Sequence, residues 1–360
     1  MLRQRRDTVM SNIVHVVGTG TIGEPLIGLL ANYREAFGID EVTFHKRTPM
    51  IEERPKVADL ERRGAILATN DDRRASFEAL GHSPKFSAQE AIERASVVID
   101  CTPAGLTNKE KFYNAAPGPL GFMAQGSEFG FGKMYARGVN DEALDQGSDR
   151  FLQVVSCNTH NISALVKTVA MDGAESRLEN GRFVLLRRAN DISQDGSFVP
   201  APTTGSHGDE QFGTHHARDA HHLFSTLGYD LPLFSSAMKL PTQYMHSMWF
   251  SLTLDREIGL DEVIDRFTDN PRIALTHHQS ANSVFSFGRD HGYFGRILNQ
   301  AVIPRQSITV RDGHEVIGFC YTPQDGNSLL SSIAATLWYL HPDGFEDRID
   351  VLRPYLFSEV

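Results

Sequence analysis

Two patterns of apolar and polar positions alternate along the first half of the chain. Short, near-continuous apolar runs predict buried strands at 13–17, 42–44, 96–101 and 151–155. Apolar residues spaced three and four apart predict helices over 22–37, 57–63, 88–94 and from about 162 to 169. Strands that alternate with helices in this way predict a parallel sheet covered on both faces, as in a doubly wound α/β fold.

The second half of the chain has fewer clear signals. Apolar runs predict strands at 183–186 and 316–319. After Asn327, apolar residues at helical spacing continue to Leu337, and three large side chains follow at 338–340. We therefore expect a C-terminal helix that packs back on the first sheet, because a free tail would leave this apolar face in water.

Composition excludes several classes of protein. The chain has 360 residues, 41% of them hydrophobic and 22% charged, which is enough apolar content for a large core in one to three domains. A net charge of −10 argues against a nucleic-acid coat, because phosphate neutralisation needs a basic surface. No apolar run approaches the eighteen or so residues of a membrane helix, so we expect no membrane partner.

The three cysteines, Cys101, Cys157 and Cys320, are widely spaced and form no CxxC pair. This spacing argues against a disulfide framework, and it therefore favours a reducing, cytoplasmic location. Residues 1–10 are basic without a following apolar segment, which does not fit a signal peptide. Two interpretations of residues 1–10 stay open: they form a disordered arm, or the true start of the chain is Met10.

A glycine motif follows the first predicted strand and opens the first predicted helix. It comprises Gly18, Gly20, Thr21, Ile22 and Gly23. Glycines in this context permit a tight turn and let a pyrophosphate approach the amides of the helix N-terminus. We therefore predict dinucleotide binding, the alternative being a merely glycine-rich turn.

The residues after the second strand bear on the choice of dinucleotide. An NAD-selective site usually has an acidic residue here, whereas this chain has Lys46, Arg47 and Thr48. Two cations and a hydroxyl suit a 2′-phosphate, so NADP is the predicted cofactor, with NAD also possible. The alternative is a solvated basic turn.

Cys157 lies between the strand at 151–155 and the helix that follows it. The positive end of a helix dipole lowers the pKa of a thiol, so this position suits a nucleophile. The alternative is a small buried apolar residue. Cys101 ends a buried strand and Cys320 lies within an apolar one, so both are interpreted as structural.

Several segments, in order, resemble archaeal-type glyceraldehyde-3-phosphate dehydrogenases. The segments are the glycine motif and residues 100–105, 154–159, 241–246, 261–272 and 306–310. The most specific are Ser156-Cys157-Asn158-Thr159 and Met245-His246. The resemblance covers the chain from about residue 13 to about residue 330.

The resemblance implies a phosphorylating oxidation of glyceraldehyde 3-phosphate to 1,3-bisphosphoglycerate. Cys157 would attack the aldehyde, and His246 would act as general base while hydride leaves for the nicotinamide. Inorganic phosphate would then attack the thioester. Two alternatives remain: an aspartate-semialdehyde type of dehydrogenase, and a non-catalytic NADP-binding relative.

The resemblance also implies ligand-binding residues. Those expected to bind the substrate and inorganic phosphate are Ser156, Asn158, Thr159, Arg187, His215 and His216. Those expected to bind the cofactor, besides the residues above, are Gly126, Ser127, Arg188 and Gln324. No metal is expected, because the His215-His216 and His221-His222 pairs lack an accompanying cysteine or carboxylate cluster.

The implied fold is a Rossmann-type nucleotide-binding domain, at 1–155 plus 322–360, and an α+β catalytic domain at 156–321 with a mostly antiparallel sheet. The resemblance further implies a homotetramer that acts in glycolysis or gluconeogenesis. The chain departs from the family pattern at His160, Asn161 and Ile162, and at 322–325. These changes leave the nucleophile and base in place and put the identity of the acyl acceptor and substrate in doubt.

Overall fold

The computed structural model describes residues 11–191, 194, 196, 198–323 and 325–360. Its first sheet has eight parallel strands in the order β4-β3-β2-β1-β5-β6-β8-β7. The strands are β1 (Ile13–Val17), β2 (Glu41–His45), β3 (Ile66–Thr69), β4 (Phe86–Ser87), β5 (Val97–Asp100), β6 (Gly121–Gln125), β7 (Lys133–Tyr135) and β8 (Phe151–Val154). The central strands are buried along their length, so the expected doubly wound parallel sheet is confirmed.

The helices of the first half cover this sheet. They are α1 (Gly23–Asn32), α2 (Arg34–Phe37), α3 (Arg54–Arg62), α4 (Arg74–Ala79), α5 (Ala88–Arg94), α6 (Gly105–Asn108) and α7 (Cys157–Ala170), and one turn of π-helix covers Lys109–Tyr113. The single helix predicted over 22–37 is wrong in one respect, because the helix is interrupted at Tyr33. Tyr33 leaves helical geometry, and its hydroxyl lies 2.7 Å from that of Tyr355 in the C-terminal segment.

The second sheet also has eight strands, and its main path runs β12-β13-β11-β14-β18-β16-β15, with β17 paired to β18. These strands are β11 (Leu178–Arg187), β12 (Thr203–Thr204), β13 (Leu233–Lys239), β14 (Ser247–Leu254), β15 (Ile273–Thr276), β16 (Ala301–Pro304), β17 (Thr309–Arg311) and β18 (Glu315–Tyr321). A separate short hairpin is formed by β9 (Met171–Asp172) and β10 (Glu175–Ser176). The pairs β11–β13 and β15–β16 are parallel and the other pairs antiparallel, which confirms the mostly antiparallel sheet.

The remaining helices are α8 (His215–Ser225), α9 (Leu260–Asp269), α10 (Ala281–His291), α11 (Gly326–Leu340) and α12 (Phe345–Ile349). Helix α11 returns to the first sheet, as the apolar spacing predicted. Leu329 and Ile333 share a core cluster with Val14 and Val16 of β1. The Gln125 side chain at the end of β6 donates to Ser332 Oγ at 2.9 Å, which fixes α11 against the sheet.

Four of the segments named above lie at one edge of the first sheet. The glycine motif follows β1, Cys101 follows β5, Gly126 follows β6, and Cys157 lies three residues beyond β8. These strands are neighbours and parallel, so their carboxyl ends face the same crevice. In open α/β sheets ligands bind at this edge. None of the helices in the described ranges combines the length and apolar character needed to span a bilayer.

Candidate active site

The glycine motif forms a close turn between β1 and α1. Gly18 has a φ of +97°, and a Cβ on Gly23 would lie 2.1 Å from the Gly18 carbonyl oxygen. A Cβ on Gly20, by contrast, would meet nothing within 4 Å. Two glycines are therefore needed by the turn itself, and the third has open space around it, at the place where turns of this kind in dinucleotide-binding folds admit a pyrophosphate.

The basic residues after β2 have different environments. Lys46 is buried, forms an ion pair with Glu53, and donates to Thr19 Oγ1 at 3.4 Å, whereas Arg47 and Thr48 are exposed. Burial opposes ionisation of Glu53, but Lys46 and Lys56 lower its pKa overall. Glu53 is therefore a carboxylate near the glycine turn, although no acidic residue follows β2 directly. The sequence pattern did not reveal it because it lies seven residues beyond Lys46.

Gly126 and Ser127 lie at the end of β6, two strands from the glycine turn. Gly126 has a φ of +77°; its amide donates to Val154 O at 2.9 Å, and its carbonyl accepts from the Gln153 side chain at 3.0 Å. Ser127 is exposed. Both therefore border the crevice of the first sheet. Gln324, the other residue predicted beside the nicotinamide, lies outside the described residues.

Cys157 is the first residue of α7, which confirms the predicted strand-to-helix junction. Ser156 caps the helix, since its Oγ accepts from the Thr159 amide at 3.3 Å. The helix dipole alone would favour a thiolate. Nevertheless, burial raises the pKa of Cys157, the Asp325 carboxylate raises it further, and Arg188 only partly opposes them. The thiol is therefore protonated at neutral pH in this structure.

Asp325 is the residue of this site that sequence reasoning missed. It precedes α11 with a φ of +66°, and its carboxylate forms a hydrogen bond with the Cys157 side chain. Arg188 Nη2 donates to Asp325 Oδ2 and to Asp191 Oδ1, each at 3.1 Å. Burial opposes ionisation of Asp325, but Arg188 and Arg296 lower its pKa overall. A buried carboxylate–guanidinium pair therefore lies beside the thiol; the departure from the family pattern at 322–325 was its only sequence signal.

His246 lies just before β14 and is hydrogen-bonded to the backbone of Arg188, the cation of this pair. Its Nδ1 accepts the backbone N–H of Arg188 at 3.0 Å. Burial and the charge of Arg188 lower its pKa to about 3, with Asp325 opposing. The imidazole is consequently neutral near pH 7. Because Nδ1 accepts a hydrogen bond, the neutral ring carries its proton on Nε2.

The residues predicted to bind phosphate form a group next to this site. His216 Nδ1 lies 3.3 Å from Ser156 Oγ, and the His215 and His216 rings are 3.9 Å apart between centroids. Burial, followed by Arg187 and Arg218, lowers the pKa of His215 to about 4. The pKa of His216 is also lowered, by burial and then by His215, Arg187 and His246. Arg187, at the end of β11, is therefore close to both histidines and to His246.

The residues after Cys157 hold α7 in place. Asn158 and Thr159 are buried; the Thr322 hydroxyl lies 3.4 Å from Asn158 Oδ1 and donates to Asn161 Oδ1. His160, where the chain departs from the family pattern, has its Nε2 at 2.7 Å from Ser331 Oγ of α11. The substituted residues thus join the helix of the nucleophile to the C-terminal helix. Within the described residues, no group of three His, Cys, Asp or Glu side chains could hold a metal ion.

The sheet and its glycine turn define the first part as a Rossmann-type nucleotide-binding fold. No family model matches the chain. Proteins named glyceraldehyde-3-phosphate dehydrogenase are similar to it, from Pyrobaculum islandicum (27% identical, 84% of this chain and 85% of that one) and Methanobacterium formicicum (27%, 83% and 86%). A third, from Methanopyrus kandleri, is 29% identical over 71% of this chain and 73% of its own. These matches confirm the resemblance to the archaeal-type glyceraldehyde-3-phosphate dehydrogenase family over most of the chain.

Proposed function

We propose that this protein is an NAD(P)-dependent, phosphorylating aldehyde dehydrogenase that oxidises glyceraldehyde 3-phosphate to 1,3-bisphosphoglycerate. The observation that carries the proposal is the position of Cys157, at the N-terminus of α7 and at the sheet edge that also holds the glycine turn. The names of the similar archaeal proteins support the substrate. On this proposal, residues 1–155 with 322–360 form the nucleotide-binding domain and 156–321 the catalytic domain.

The residues at the glycine turn fit a dinucleotide. Gly20 leaves room for a pyrophosphate, and Gly18, Thr21, Ile22 and Gly23 shape the turn around it. Gly126 and Ser127 would border the nicotinamide half. When bound, the nicotinamide supplies a two-electron hydride acceptor.

The protein's own side chains would carry the remaining steps. The Cys157 thiolate adds to the aldehyde carbon, and the adduct is a hemithioacetal. Loss of hydride from that carbon and of the hydroxyl proton to His246 leaves a thioester on Cys157. Phosphate oxygen then attacks the thioester carbon, the C–S bond breaks, and the thiolate is restored as the acyl phosphate leaves.

This scheme places two requirements on the structure. The thiol must lose its proton although burial and Asp325 oppose its ionisation, so the charge of Arg188 and the dipole of α7 are what favour the thiolate. His246 must accept a proton although its Nδ1 already accepts from Arg188. Because Nε2 carries the ring proton, a base role at Nε2 requires that proton to move to Nδ1, and this in turn requires substrate binding to release the hydrogen bond from Arg188. Arg187, His215 and His216, with Ser156, Asn158 and Thr159, are the proposed contacts for the two phosphates.

The choice between NADP and NAD is also part of the proposal. We propose that NADP is preferred, with Arg47 and Thr48 in contact with the 2′-phosphate, because Lys46 is already paired with Glu53. A kcat/KM for NAD a hundredfold above that for NADP would contradict it.

Assembly as a homotetramer in the cytoplasm completes the proposal. Val184, Trp249 and Phe319 lie side by side on neighbouring strands, on the face of the second sheet away from its core, and Phe319 is exposed. Apolar side chains on such a face suit contact with a second copy. Light scattering after gel filtration would show four chains; a monomeric mass would exclude this assembly.

One assay tests the catalytic proposal. Purified protein with NADP, phosphate and glyceraldehyde 3-phosphate should form reduced nicotinamide. Cys157→Ala should lower the rate of this reaction by about a thousandfold or more. Cys320→Ala, a buried cysteine of the second sheet, is the matched control and should stay active. Activity with aspartate semialdehyde and none with the triose phosphate would support the alternative dehydrogenase. NADP binding without turnover would support a non-catalytic protein.

A further inference from the structure

One cavity of the molecule lies apart from the candidate active site. It has a volume of about 470 Å³ and is bounded by the turn after β7, the start of β15 and the C-terminal segment. No residue of the glycine turn and none of residues 156–159 line it. Three arginines do, namely Arg137, Arg272 and Arg353.

Arg272 is the unusual member of this group. Its guanidinium lies against Gly138, where a Cβ would be 2.0 Å from Nε, and Gly138 has a φ of +76°. Among the residues that the structure describes, the buried Nε has no hydrogen-bond acceptor and no carboxylate lies within 4.0 Å of the side chain. Arg137 and Arg353, in contrast, each form an ion pair with a carboxylate.

This environment is unfavourable for an isolated cation. Burial and the charge of Arg137 lower the pKa of Arg272, with more distant acidic groups opposing. The side chain as a whole stays partly exposed, but its buried Nε–H lacks an acceptor among the described residues, and a buried donor without a partner is unfavourable. An anion in the cavity would supply the missing partner.

The rest of the cavity has charges of both signs, because Asp350 lines it together with the arginines. Arg137 pairs with Asp141 at 3.1 Å and with Glu346, and Arg353 pairs with Asp350 at 2.8 Å on the exposed rim. These pairs satisfy two of the guanidinium groups but leave further N–H donors on each. The opposite walls are apolar and include Leu330, Ile349 and Leu356.

We propose that this cavity binds a small organic phosphate, with its phosphoryl group on Arg272 and its apolar body against Leu330 and Leu356. The planar fork of arginine matches phosphoryl oxygens in pairs. The volume lies within the range of about 300–1,000 Å³ that is typical of small-molecule sites, and exceeds what a phosphate ion alone needs. The site does not depend on the proposed catalytic function.

Calorimetric titration of the full-length protein with phenyl phosphate tests this proposal. We expect Arg272→Gln to weaken binding at least tenfold and Arg353→Glu several-fold. Arg289→Glu is the matched charge reversal, since Arg289 is also exposed and also pairs with a nearby aspartate. It should bind like the unaltered protein.

Other outcomes would overturn the proposal. Loss of binding in Arg187→Gln but not in Arg272→Gln would assign the ligand to the active site. Equal affinity for inorganic phosphate would exclude a role for the apolar walls, and no heat at millimolar phenyl phosphate would exclude the site. If Arg272→Gln does not fold, Arg353→Glu decides, because its side chain is 75% exposed.

Discussion

The glycine turn and the cysteine turn occupy equivalent places in the first sheet but are built in different ways. Each follows a parallel strand and leads into a helix N-terminus at the same sheet edge. The glycine turn depends on local backbone contacts, such as that between Gly18 and Gly23. At the cysteine turn, in contrast, the environment of Cys157 is set by Arg188 and Asp325, which come from other parts of the chain.

This difference shows what a local motif can and cannot specify. A short motif specifies a ligand site when backbone amides and close packing form the site. The reactivity of a thiol, by contrast, depends on every charge around it. At Cys157 the carboxylate of Asp325 opposes the helix dipole, so the turn alone does not determine the protonation state.

The largest expected effect comes from His246, which lies far from the cysteine turn in the sequence. We expect His246→Asn to lower kcat by roughly 10² to 10⁴, the usual contribution of a general base. Binding of NADP, measured by calorimetry, should be unchanged, since His246 is not part of the glycine turn. The pH profile of the unaltered enzyme should show no step near 6.5, because burial and Arg188 lower the pKa of His246 to about 3.

The asparagine variant also distinguishes two roles of this residue. An asparagine amide can donate a hydrogen bond, as Nε2–H does, but cannot take a proton at neutral pH. If His246→Asn retained more than about a tenth of kcat, the base role would be wrong and a hydrogen-bond donor role would replace it.

The second prediction tests whether the glycine turn is a backbone site. In Gly23→Ala the new Cβ would meet the Gly18 carbonyl, so both the melting temperature and NADP affinity should fall, the latter at least about a hundredfold. Gly20→Ala is the matched control because its Cβ enters open space. It should weaken NADP binding without lowering the melting temperature. Equal loss of stability in both variants would show that Gly20 has a structural role instead.

The third prediction tests whether Asp325 controls the thiol. Asp325→Asn removes a negative charge beside the thiol and leaves the positive charge of Arg188 less neutralised. Both changes lower the pKa of Cys157. Alkylation by iodoacetamide at pH 7 should therefore be about tenfold faster or more. Because the thiolate fraction keeps rising with pH until the raised pKa of Cys157 is passed, the rate for the unaltered protein should still be rising at pH 9.

Asp191→Asn provides the matched control for this measurement. Asp191 also pairs with Arg188 and also raises the pKa of Cys157, but it is half exposed and its influence is smaller. We expect a much weaker acceleration. If the two variants reacted at the same rate, a direct effect of Asp325 on the thiol would be excluded.

The sequence predicted the elements better than the charges around the site. The near-continuous apolar runs at β1 and β5 and the helical spacing of α11 were sufficient to predict the parallel sheet and the helix that covers it. Short strands such as β4 were missed, since two residues have no readable period. Asp325 and Glu53 were missed for a different reason, because which cation a carboxylate contacts depends on the tertiary fold. Lys46 was expected to be available to a ligand, whereas the fold pairs it with Glu53.

The smallest expected effect concerns the choice of cofactor, which we attribute to the charged side chains after β2, close to the glycine turn. Arg47 is exposed and Lys46 is engaged by Glu53, so Arg47→Glu should lower kcat/KM for NADP about three- to tenfold and change that for NAD little. Glu53→Gln should act in the opposite direction, because it releases the Lys46 ammonium toward a 2′-phosphate. Steady-state kinetics with both dinucleotides would give the two ratios. A shift of the same sign in both variants would mean that neither cation contacts the 2′-phosphate, and that the glycine turn alone binds the dinucleotide.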